Sequence, residues 1–419
     1  MAMIRPPEPQ GYGLYGPDPH LPDVPFSEWK ARTERAKRLM REHDIDLLML
    51  WSRQNCRYFA GYTSIHWMVP SIQPMVTLLP ADREPVVIVP EFFRPTAEAQ
   101  CWIRDIRGQL DAHQTNAERD LPREVAELVK ELGYGKARIG LEKGALGNMW
   151  IPRPLNDIEL LLKSLPDARF VDGDKTIWAC RMIKSQLEID RLTRAAAIHR
   201  QAFQTVIEAY RPGMTEQDVA KLYLIAAVEH DADWAIPGHI MCGDMKEGVY
   251  DTASHFDGVV IGRGDYMSLD MPLRYKGYWA DMGRFVHVGP TPEDYRKGME
   301  VCWRAFDAAV EAARPGVPAK AVYEAMVRVE QDGGLISIEI GGHGIGLDIH
   351  EPPALTATEE TLLEPGMCLE VEPCGIKGGL KKHGQTGLFQ YENLVLITEK
   401  GSTPVLGLPR KHLEVSCYL

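Results

Sequence analysis

Short apolar runs and helical stretches alternate through the first 180 residues of the chain. A helix is predicted from Ser27 to about His43, because Trp29, Ala36 and Met40 recur on one side of it. Further helices are predicted near residues 120–132 and 155–165, and Asn55–Ser64 is expected to form a loop and turn. The predicted strands are Leu47–Trp51, Met75–Leu79, Pro85–Pro90, Arg138–Leu141 and Arg169–Val171. This alternation indicates an α/β domain that ends near Ile177.

Two pairs of a long and a short helix follow. The first pair begins at the capping box Ser185–Glu188 and at a second cap, Thr215–Asp218. The second pair begins at Thr291–Asp294 and at about Pro318. Each long helix ends in a similar sequence, Glu208-Ala-Tyr-Arg-Pro-Gly and Glu311-Ala-Ala-Arg-Pro-Gly. The second half is therefore predicted to contain two related helix-helix-strand units, although Pro-Gly also stops unrelated helices.

An apolar hairpin lies between the two helix pairs. Residues 266–285 form two strand-like runs around a tight turn at Tyr275–Gly277, which is expected to set Asp270 opposite Asp281. Opposed residues point to one sheet face about 5 Å apart, so the two carboxylates would repel without a proton or cation between them. The pattern is therefore typical of a metal site, and it also fits a solvent-facing hairpin with two unrelated acids.

More acids and histidines follow the second helix pair. His343 stands in a Gly-rich run, and His350 follows it seven residues later. Glycines there allow the backbone to approach whatever it contacts closely, although a single histidine is more often a hydrogen-bonded core residue. Glu370 and Glu372 share one face of a strand, which could be solvated. Glu392 begins a strongly apolar strand, where an acid without a partner is rare.

Together these residues predict a dinuclear metal centre in the second domain. Mixed carboxylate and imidazole ligands suit Mn, Co, Fe or Zn. Two such ions activate a water molecule and polarise a carbonyl, so hydrolysis is the expected reaction. The predicted centre is built from Asp270, Asp281, His343, Glu392 and one of the pair Glu370 and Glu372.

Composition narrows the class of protein. The chain has 419 residues, 45% of them hydrophobic, which is ordinary for a soluble protein of two or three domains. A net charge of -12 argues against a nucleic-acid or anionic-membrane partner. The opening residues are not expected to act as a signal peptide, and no apolar run is expected to span a bilayer. The eight scattered cysteines favour reduced thiols, so a cytoplasmic location is expected.

Several motifs resemble the pita-bread metallohydrolase family, which holds methionine aminopeptidase, aminopeptidase P, prolidase and creatinase. The motifs are the Asp270 and Asp281 spacing, Gly342-His343-Gly-Ile-Gly-Leu-Asp-Ile-His350-Glu-Pro, Glu364-Pro-Gly-Met to Glu372-Pro, and Glu392-Asn-Leu-Val-Leu-Ile-Thr-Glu. Asn55-Cys-Arg-Tyr-Phe-Ala-Gly-Tyr and Arg181-Met-Ile-Lys-Ser-Gln-Leu-Glu-Ile resemble its prolidase and creatinase branch.

The resemblance implies an α+β fold and a homodimer. It implies a creatinase-like α/β domain at residues 26–177 and a pseudo-symmetric pita-bread catalytic domain at 178–419, after an irregular arm at 1–25. By the family's motifs, Asp270 would bind one metal and His343 with Glu372 the other, while Asp281 and Glu392 bridge them. Three residues would serve catalysis: Glu372 as proton shuttle, His350 by hydrogen bonding to the substrate or the developing oxyanion, and His255 at the substrate site.

Two departures from the family bear on the substrate. Met271-Pro272 follows the first ligand as in creatinase, and Gln390 stands where proline-specific relatives carry an arginine. The expected substrate is therefore a small molecule with a C–N bond, such as an Xaa-Pro-like dipeptide, an amide or a cyclic amidine. Two alternatives remain open: a lyase acting on an osmolyte such as dimethylsulfoniopropionate, and a non-catalytic binding protein. Core packing or contact with substrate across a dimer is expected for Tyr62, His66 and Trp67.

Overall fold

The computed structural model describes residues 24–64, 75–109, 117–147, 149, 151–236, 239–244, 248–251, 258–377, 380–381, 384–385, 387–405, 407 and 410–415. Most of the predicted arm, together with His66, Trp67 and His255, lies outside these residues. The chain divides into two compact units, one up to Arg181 and one from Met182 onward. Among the described residues, no helix combines the length and the hydrophobicity needed to cross a membrane.

The first unit is a mixed six-stranded sheet with helices. Its strands run in the order β4-β3-β2-β1-β5-β6, with the antiparallel segment β1-β2-β3 inside parallel neighbours. Its helices are α1 (Phe26–Glu42), α2 (Arg53–Ala60), α3 (Arg94–Gln100), α4 (Ala117–Glu131), α5 (Leu155–Ser164) and α6 (Asp174–Arg181). Its strands are β1 (Leu47–Leu50), β2 (Val76–Pro80), β3 (Val86–Pro90), β4 (Asp105–Gln109), β5 (Arg138–Leu141) and β6 (Arg169–Asp172).

Helix α2 corrects the expectation of a loop at Asn55–Ser64. Ser52 caps it by accepting from the Asn55 N–H at 3.3 Å, and Gly61 ends it with φ +86°. The buried Glu142 carboxylate accepts from the Trp51 N–H at 2.7 Å and the Ser52 N–H at 3.0 Å. A residue some 90 positions away thus stabilises the start of this short helix, which local sequence does not reveal.

The second unit repeats one arrangement, a helix pair followed by a mainly antiparallel sheet. Its helices are α7 (Gln186–Ala209), α8 (Glu216–Glu229), α9 (Glu293–Ala312) and α10 (Ala319–Asp332). The strands of its first half are β7 (Trp234–Ala235), β8 (His239–Asp244), β9 (Gly248–Asp251), β10 (Tyr266–Asp270), β11 (Leu273–Tyr275), β12 (Tyr278–Ala280) and β13 (Gly283–Val288). Those of its second half are β14 (Ile336–Ser337), β15 (Gly342–Gly344), β16 (Glu351–Ala354), β17 (Cys368–Val371), β18 (Cys374–Ile376), β19 (Leu380–Lys381), β20 (Gly384–Gln385), β21 (Leu388–Gln390), β22 (Asn393–Thr398), β23 (Gly401–Pro404) and β24 (Leu413–Val415).

Each half of the second unit has its own hydrophobic core. The larger sheets run β24-β13-β10-β8-β9 and β16-β15-β17-β22-β23. Helices α7 and α8 cover the first core and α9 and α10 the second, so the predicted repeat is present in the fold. The capping boxes at Ser185 and Thr215 form as expected. The cap at Thr291 does not, because this side chain is buried and α9 begins after Pro292 without a side-chain cap.

Candidate metal centre

Five predicted ligands converge in the second unit. Asp270 ends β10, Asp281 follows β12, His343 lies in β15, Glu372 follows β17 and Glu392 precedes β22. Their ligand atoms form overlapping groups, with all atoms of a group within 4.8 Å of one another. The groups are Asp270, Asp281 and Glu392; His343, Glu372 and Glu392; and Asp281, His343 and His350.

The hairpin has a different register from the one expected. Its turn is made by Lys276 and Gly277, both with positive φ, and Tyr275 pairs with Tyr278. Asp270 therefore lies opposite Gly283, and the prediction that it faces Asp281 directly is wrong. A shift of two residues keeps both acids on the same side of the hairpin, as diagonal neighbours. The electrostatic argument for a cation between them is unaffected by this correction.

Two glycines leave the room that the site needs. A Cβ atom on Gly283 would come within 2.6 Å of the Gln390 side-chain amide, which occupies that space. Gly342, with φ +139°, lies directly against the Glu370 carbonyl, where any side chain would collide. The expectation that glycine next to His343 permits close backbone approach is met at this position.

The His343 imidazole is oriented as a neutral ligand. Its Nδ1 is 3.0 Å from the Gly344 carbonyl oxygen, a contact that assigns the proton to Nδ1. Nε2 then presents a lone pair toward the cluster and lies 4.0 Å from Glu392 Oε1. Burial, followed by the neighbouring His350, lowers the pKa of His343 to about 3. A neutral imidazole whose other nitrogen donates to a carbonyl is the usual form of a metal-binding histidine.

The carboxylates crowd one another in a buried space. Burial and the nearby Asp270 carboxyl raise the pKa of Asp281 well above its usual value, and they raise that of Glu372 to about 8. Burial and then Asp281 raise the pKa of Glu392 in the same way. Asp281 Oδ1 is buried and accepts no hydrogen bond among the described residues. Shifts of this direction mean that the ionised forms lack compensation, which a bound cation would supply.

Hydrogen bonds hold three of the candidate ligand carboxylates in place. The Gly283 N–H donates to Glu392 Oε2 at 2.6 Å. The Gln390 side-chain amide donates to Glu372 Oε1 at 2.8 Å and to Asp270 Oδ2 at 3.2 Å. Gln390 therefore links an acid of the first half of the unit to an acid of the second.

A buried guanidinium lies under the cluster. Arg284 donates to the Glu392 carbonyl, to the Gly283 carbonyl at 2.6 Å and to Asn393 Oδ1 at 2.6 Å. Its cation stands 4.0 Å from the centroid of the Tyr391 ring. Burial lowers the pKa of Arg284 to about 10, which leaves it charged at neutral pH. The site thus has a positive charge behind its acids.

His350 lies at the exposed side of the cluster. Its ring is 4.1 Å from the His343 ring, centroid to centroid, in an edge-to-face arrangement. The preceding loop is held by Trp279, whose indole N–H donates to the Leu347 carbonyl at 3.2 Å. Lys184 forms a fully buried ion pair with Glu351, the next residue, at 3.0 Å. His350 therefore lies at an exposed position in a loop that is held in place on both sides, where it can contact a ligand.

Sequence reasoning missed three contributors and placed one aromatic residue correctly. Glu370 is 0% exposed, which excludes the solvated face considered for it. The sequence signal for a buried Glu370 was its spacing of two residues from Glu372, which places both acids on one face of the strand. An arginine inside the apolar strand β13 could similarly have revealed Arg284, whereas nothing local indicates the pairing of Lys184 with Glu351. Tyr62 is fully buried in the first unit, as expected for core packing.

Each of the two units matches the sequence model of a known protein family. The sequence model of metallopeptidase family M24 matches residues 190–399. That of the creatinase/prolidase N-terminal domain matches residues 32–183.

Curated relatives match over most of their length. A protein of Mycobacterium tuberculosis named probable dipeptidase PepE is 29% identical over 347 residues, which are 81% of this chain and 84% of the relative. An Xaa-Pro dipeptidase of Lactobacillus delbrueckii subsp. lactis is 25% identical over 391 residues, covering 88% and 95% of the two chains.

Solved structures share the fold across both units. A prolidase from Thermococcus sibiricus has a TM-score of 0.78 at 20% identity and covers 92% of this chain and 99% of its own. An Xaa-Pro dipeptidase from Bacillus anthracis has a TM-score of 0.75 at 24% identity and covers 92% and 100%. At these identities the likeness establishes the creatinase-like and pita-bread architecture, as the motifs predicted.

Proposed function

Because this chain belongs to metallopeptidase family M24 and is a metal-dependent hydrolase, we propose that it cleaves the C–N bond of a dipeptide-like small substrate. The observation that carries the proposal is the sharing of Glu392 between two ligand groups, one with Asp270 and Asp281, the other with His343 and Glu372. Such an arrangement suits two neighbouring divalent cations.

The donor set fits transition-metal ions. In the proposal, Asp270 holds one ion, His343 and Glu372 hold the other, and Asp281 and Glu392 lie between them. The orphaned Asp281 Oδ1 and the neutral His343 Nε2 support this division, since both are buried and turned toward the group. Carboxylate and imidazole donors together favour Mn, Co, Fe or Zn.

The surrounding residues suit a hydrolytic step. Divalent ions at this position would lower the pKa of the attacking water and polarise the scissile carbonyl. Glu372 would accept a proton from the attacking water and pass it to the leaving nitrogen, acting first as general base and then as general acid. Gln390 fixes the Glu372 carboxyl by its hydrogen bond, and His350 donates to the substrate carbonyl oxygen.

The substrate class is the finer part of the proposal. The relatives named dipeptidase and Xaa-Pro dipeptidase support a dipeptide. Gln390 and Met271-Pro272 distinguish this chain from proline-specific relatives, so dipeptides without proline, other amides and cyclic amidines belong in the same proposal. The family resemblance further supports a homodimer and a cytoplasmic location. A molar mass of one chain, measured by light scattering, would refute the dimer.

The test combines metal analysis with a substrate panel. Purified protein should retain or take up close to two equivalents of a transition metal and release amines from at least one member of a panel of Xaa-Pro dipeptides, other dipeptides and cyclic amidines. Asp281→Asn should lower kcat by more than about 100-fold and remove bound metal, because it replaces a ligand that both ions share. Asp332→Asn, at an exposed site on α10, is the matched control.

Two results would overturn the proposal. One is protein that binds no stoichiometric transition metal. The other is a fully active Asp281→Asn variant. Dimethylsulfoniopropionate in the panel, with detection of the eliminated sulfide, tests the lyase alternative. Protein that binds metal and eliminates the sulfide but hydrolyses nothing would favour that alternative.

A further inference from the structure

Glu370 is a fifth carboxylate within the candidate centre. It lies in β17, where it pairs directly with His343 of β15. Directly opposed residues of an antiparallel pair point to the same face, so the Glu370 side chain stands beside the imidazole. It is 0% exposed, and it has a candidate ligand of each half of the unit beside it, Asp281 of the first and His343 of the second.

The two oxygens of Glu370 have different surroundings. Oε1 accepts from the backbone N–H of Asp281 at 3.4 Å, a long hydrogen bond. Oε2 is buried and accepts no hydrogen bond among the described residues. A carboxylate in this position costs free energy unless positive charge stands nearby, and Arg284 supplies only part of that charge.

The geometry separates Glu370 from the direct ligands. None of the three ligand groups among the described residues includes it, although Asp281 and His343, its two contacts, each belong to two groups. Its negative charge nonetheless enters the balance of the site. Asp270, Asp281, Glu370, Glu372 and Glu392 carry five negative charges when ionised, and Arg284 carries one positive charge. The net charge of these six side chains is then -4, which two divalent cations neutralise. Without Glu370 the net charge would be -3.

We infer that Glu370 is a positioning residue of the metal centre, which tightens cation binding by its charge and by holding Asp281 rather than by ligation. The inference rests on the proposed function, since it assumes that cations occupy the cluster. It assigns to Glu370 the fifth charge that lets two divalent ions bind without excess positive charge in a buried space.

Two substitutions separate charge from hydrogen bonding. Glu370→Gln preserves shape and the carbonyl that accepts from Asp281, but removes the charge; Glu370→Leu removes both. The measurement is Mn²⁺ affinity of the full chain by competition with a chelator. We expect Glu370→Gln to bind Mn²⁺ about 10- to 100-fold more weakly than the unchanged protein, the usual effect of altering a residue behind metal ligands. Glu364→Gln, an exposed glutamate just before β17, should be neutral.

A second readout excludes a merely structural role. Without metal, Glu370→Gln should unfold at a temperature no lower than the unchanged protein, because it removes a buried charge rather than a needed contact. A metal-free variant that is unfolded or less stable would assign Glu370 to the fold and overturn the inference. So would unchanged Mn²⁺ affinity in Glu370→Gln, including the case where only Glu370→Leu binds weakly. If the unchanged protein binds no Mn²⁺ or other transition metal, the proposed function itself fails.

Discussion

Gln390 is the residue on which the spacing of the site depends. Its single side-chain nitrogen donates to Glu372 and Asp270, which are candidate ligands of different ions. It is 3% exposed and sits in the space left by Gly283. An arginine here would bring a positive charge between two carboxylates, whereas the amide holds them without neutralising them. The full negative charge of both acids is therefore left for metal binding.

Gln390→Leu tests this at the residue scale. Removing the amide leaves two partly buried carboxylate oxygens without this donor, at a cost of up to about 1–3 kcal/mol each. We expect kcat to fall about 10- to 100-fold at saturating metal, with a smaller change in KM, since Glu372 loses its orientation. Steady-state kinetics on the best dipeptide measure it, with Gln331→Leu on the exposed side of α10 as control. Equal kcat values for Gln390→Leu and the unchanged protein would contradict this role.

Helix α10 buries an acid that is not one of the candidate ligands. Glu330 is 1% exposed, and its Oε1 accepts no hydrogen bond among the described residues. Burial raises the pKa of Glu330 to about 7. Burial and then Glu330 raise the pKa of the Cys302 thiol on α9. The packing of α10 against α9 therefore includes a carboxyl that is most stable when protonated.

The pH dependence of stability should reveal Glu330. Below about pH 4.5 the carboxyl is protonated in both states, and above about pH 7 it is ionised in both. Between these values the folded protein holds a proton that the unfolded chain has released, so the free energy of unfolding falls as pH rises. Glu330→Gln should remove up to about 3 kcal/mol of that fall. Urea unfolding at pH 5 and pH 7.5 measures the change in the free energy of unfolding. The control Glu324→Gln, at an exposed position, should show the same change as the unchanged protein. The same change in Glu330→Gln would refute the assignment.

Patterns along single elements were predictable, and contacts between distant elements were not. The capping boxes at Ser185 and Thr215 use residues three apart, so the sequence shows them directly. Helix α2 depends on Glu142, and the depth of Glu370 depends on strands packed around it. The hairpin register was missed because a two-residue turn and a three-residue turn use the same Gly277. The candidate ligands could be predicted nonetheless, since their residue types and motifs are local.

At the scale of the whole second unit, the candidate ligands join three sheets. Asp270 belongs to the sheet containing β10 and β13, Asp281 adjoins the small sheet of β11 and β12, and His343 lies in the sheet of β15, β17 and β22. Ions held by these residues bind the folded state alone, because the unfolded chain separates the ligands by up to 122 residues (270 to 392). Metal binding and folding of this unit should therefore be coupled.

Metal removal should lower the thermal stability of the unit. At a free concentration of about 100 times Kd, a single bound ion adds roughly 2.7 kcal/mol, which corresponds to about 5–10 °C in Tm. Differential scanning calorimetry with Mn²⁺ and with EDTA measures the shift. Asp281→Asn should have the same Tm in both conditions. A shift that persists in this variant would place the stabilising ion elsewhere in the protein.

The Lys184–Glu351 ion pair has a consequence for where the chain can be cut. Both charges are 1% exposed, and loss of one partner of a buried pair costs about 3–5 kcal/mol. A fragment that starts at Ser185, the beginning of the capping box, would contain every helix and strand of the second unit. It would nevertheless lack Lys184 and leave the buried Glu351 carboxylate, next to His350, without its cation. A separately expressed second unit therefore has to include Lys184 to retain the cation that pairs with Glu351.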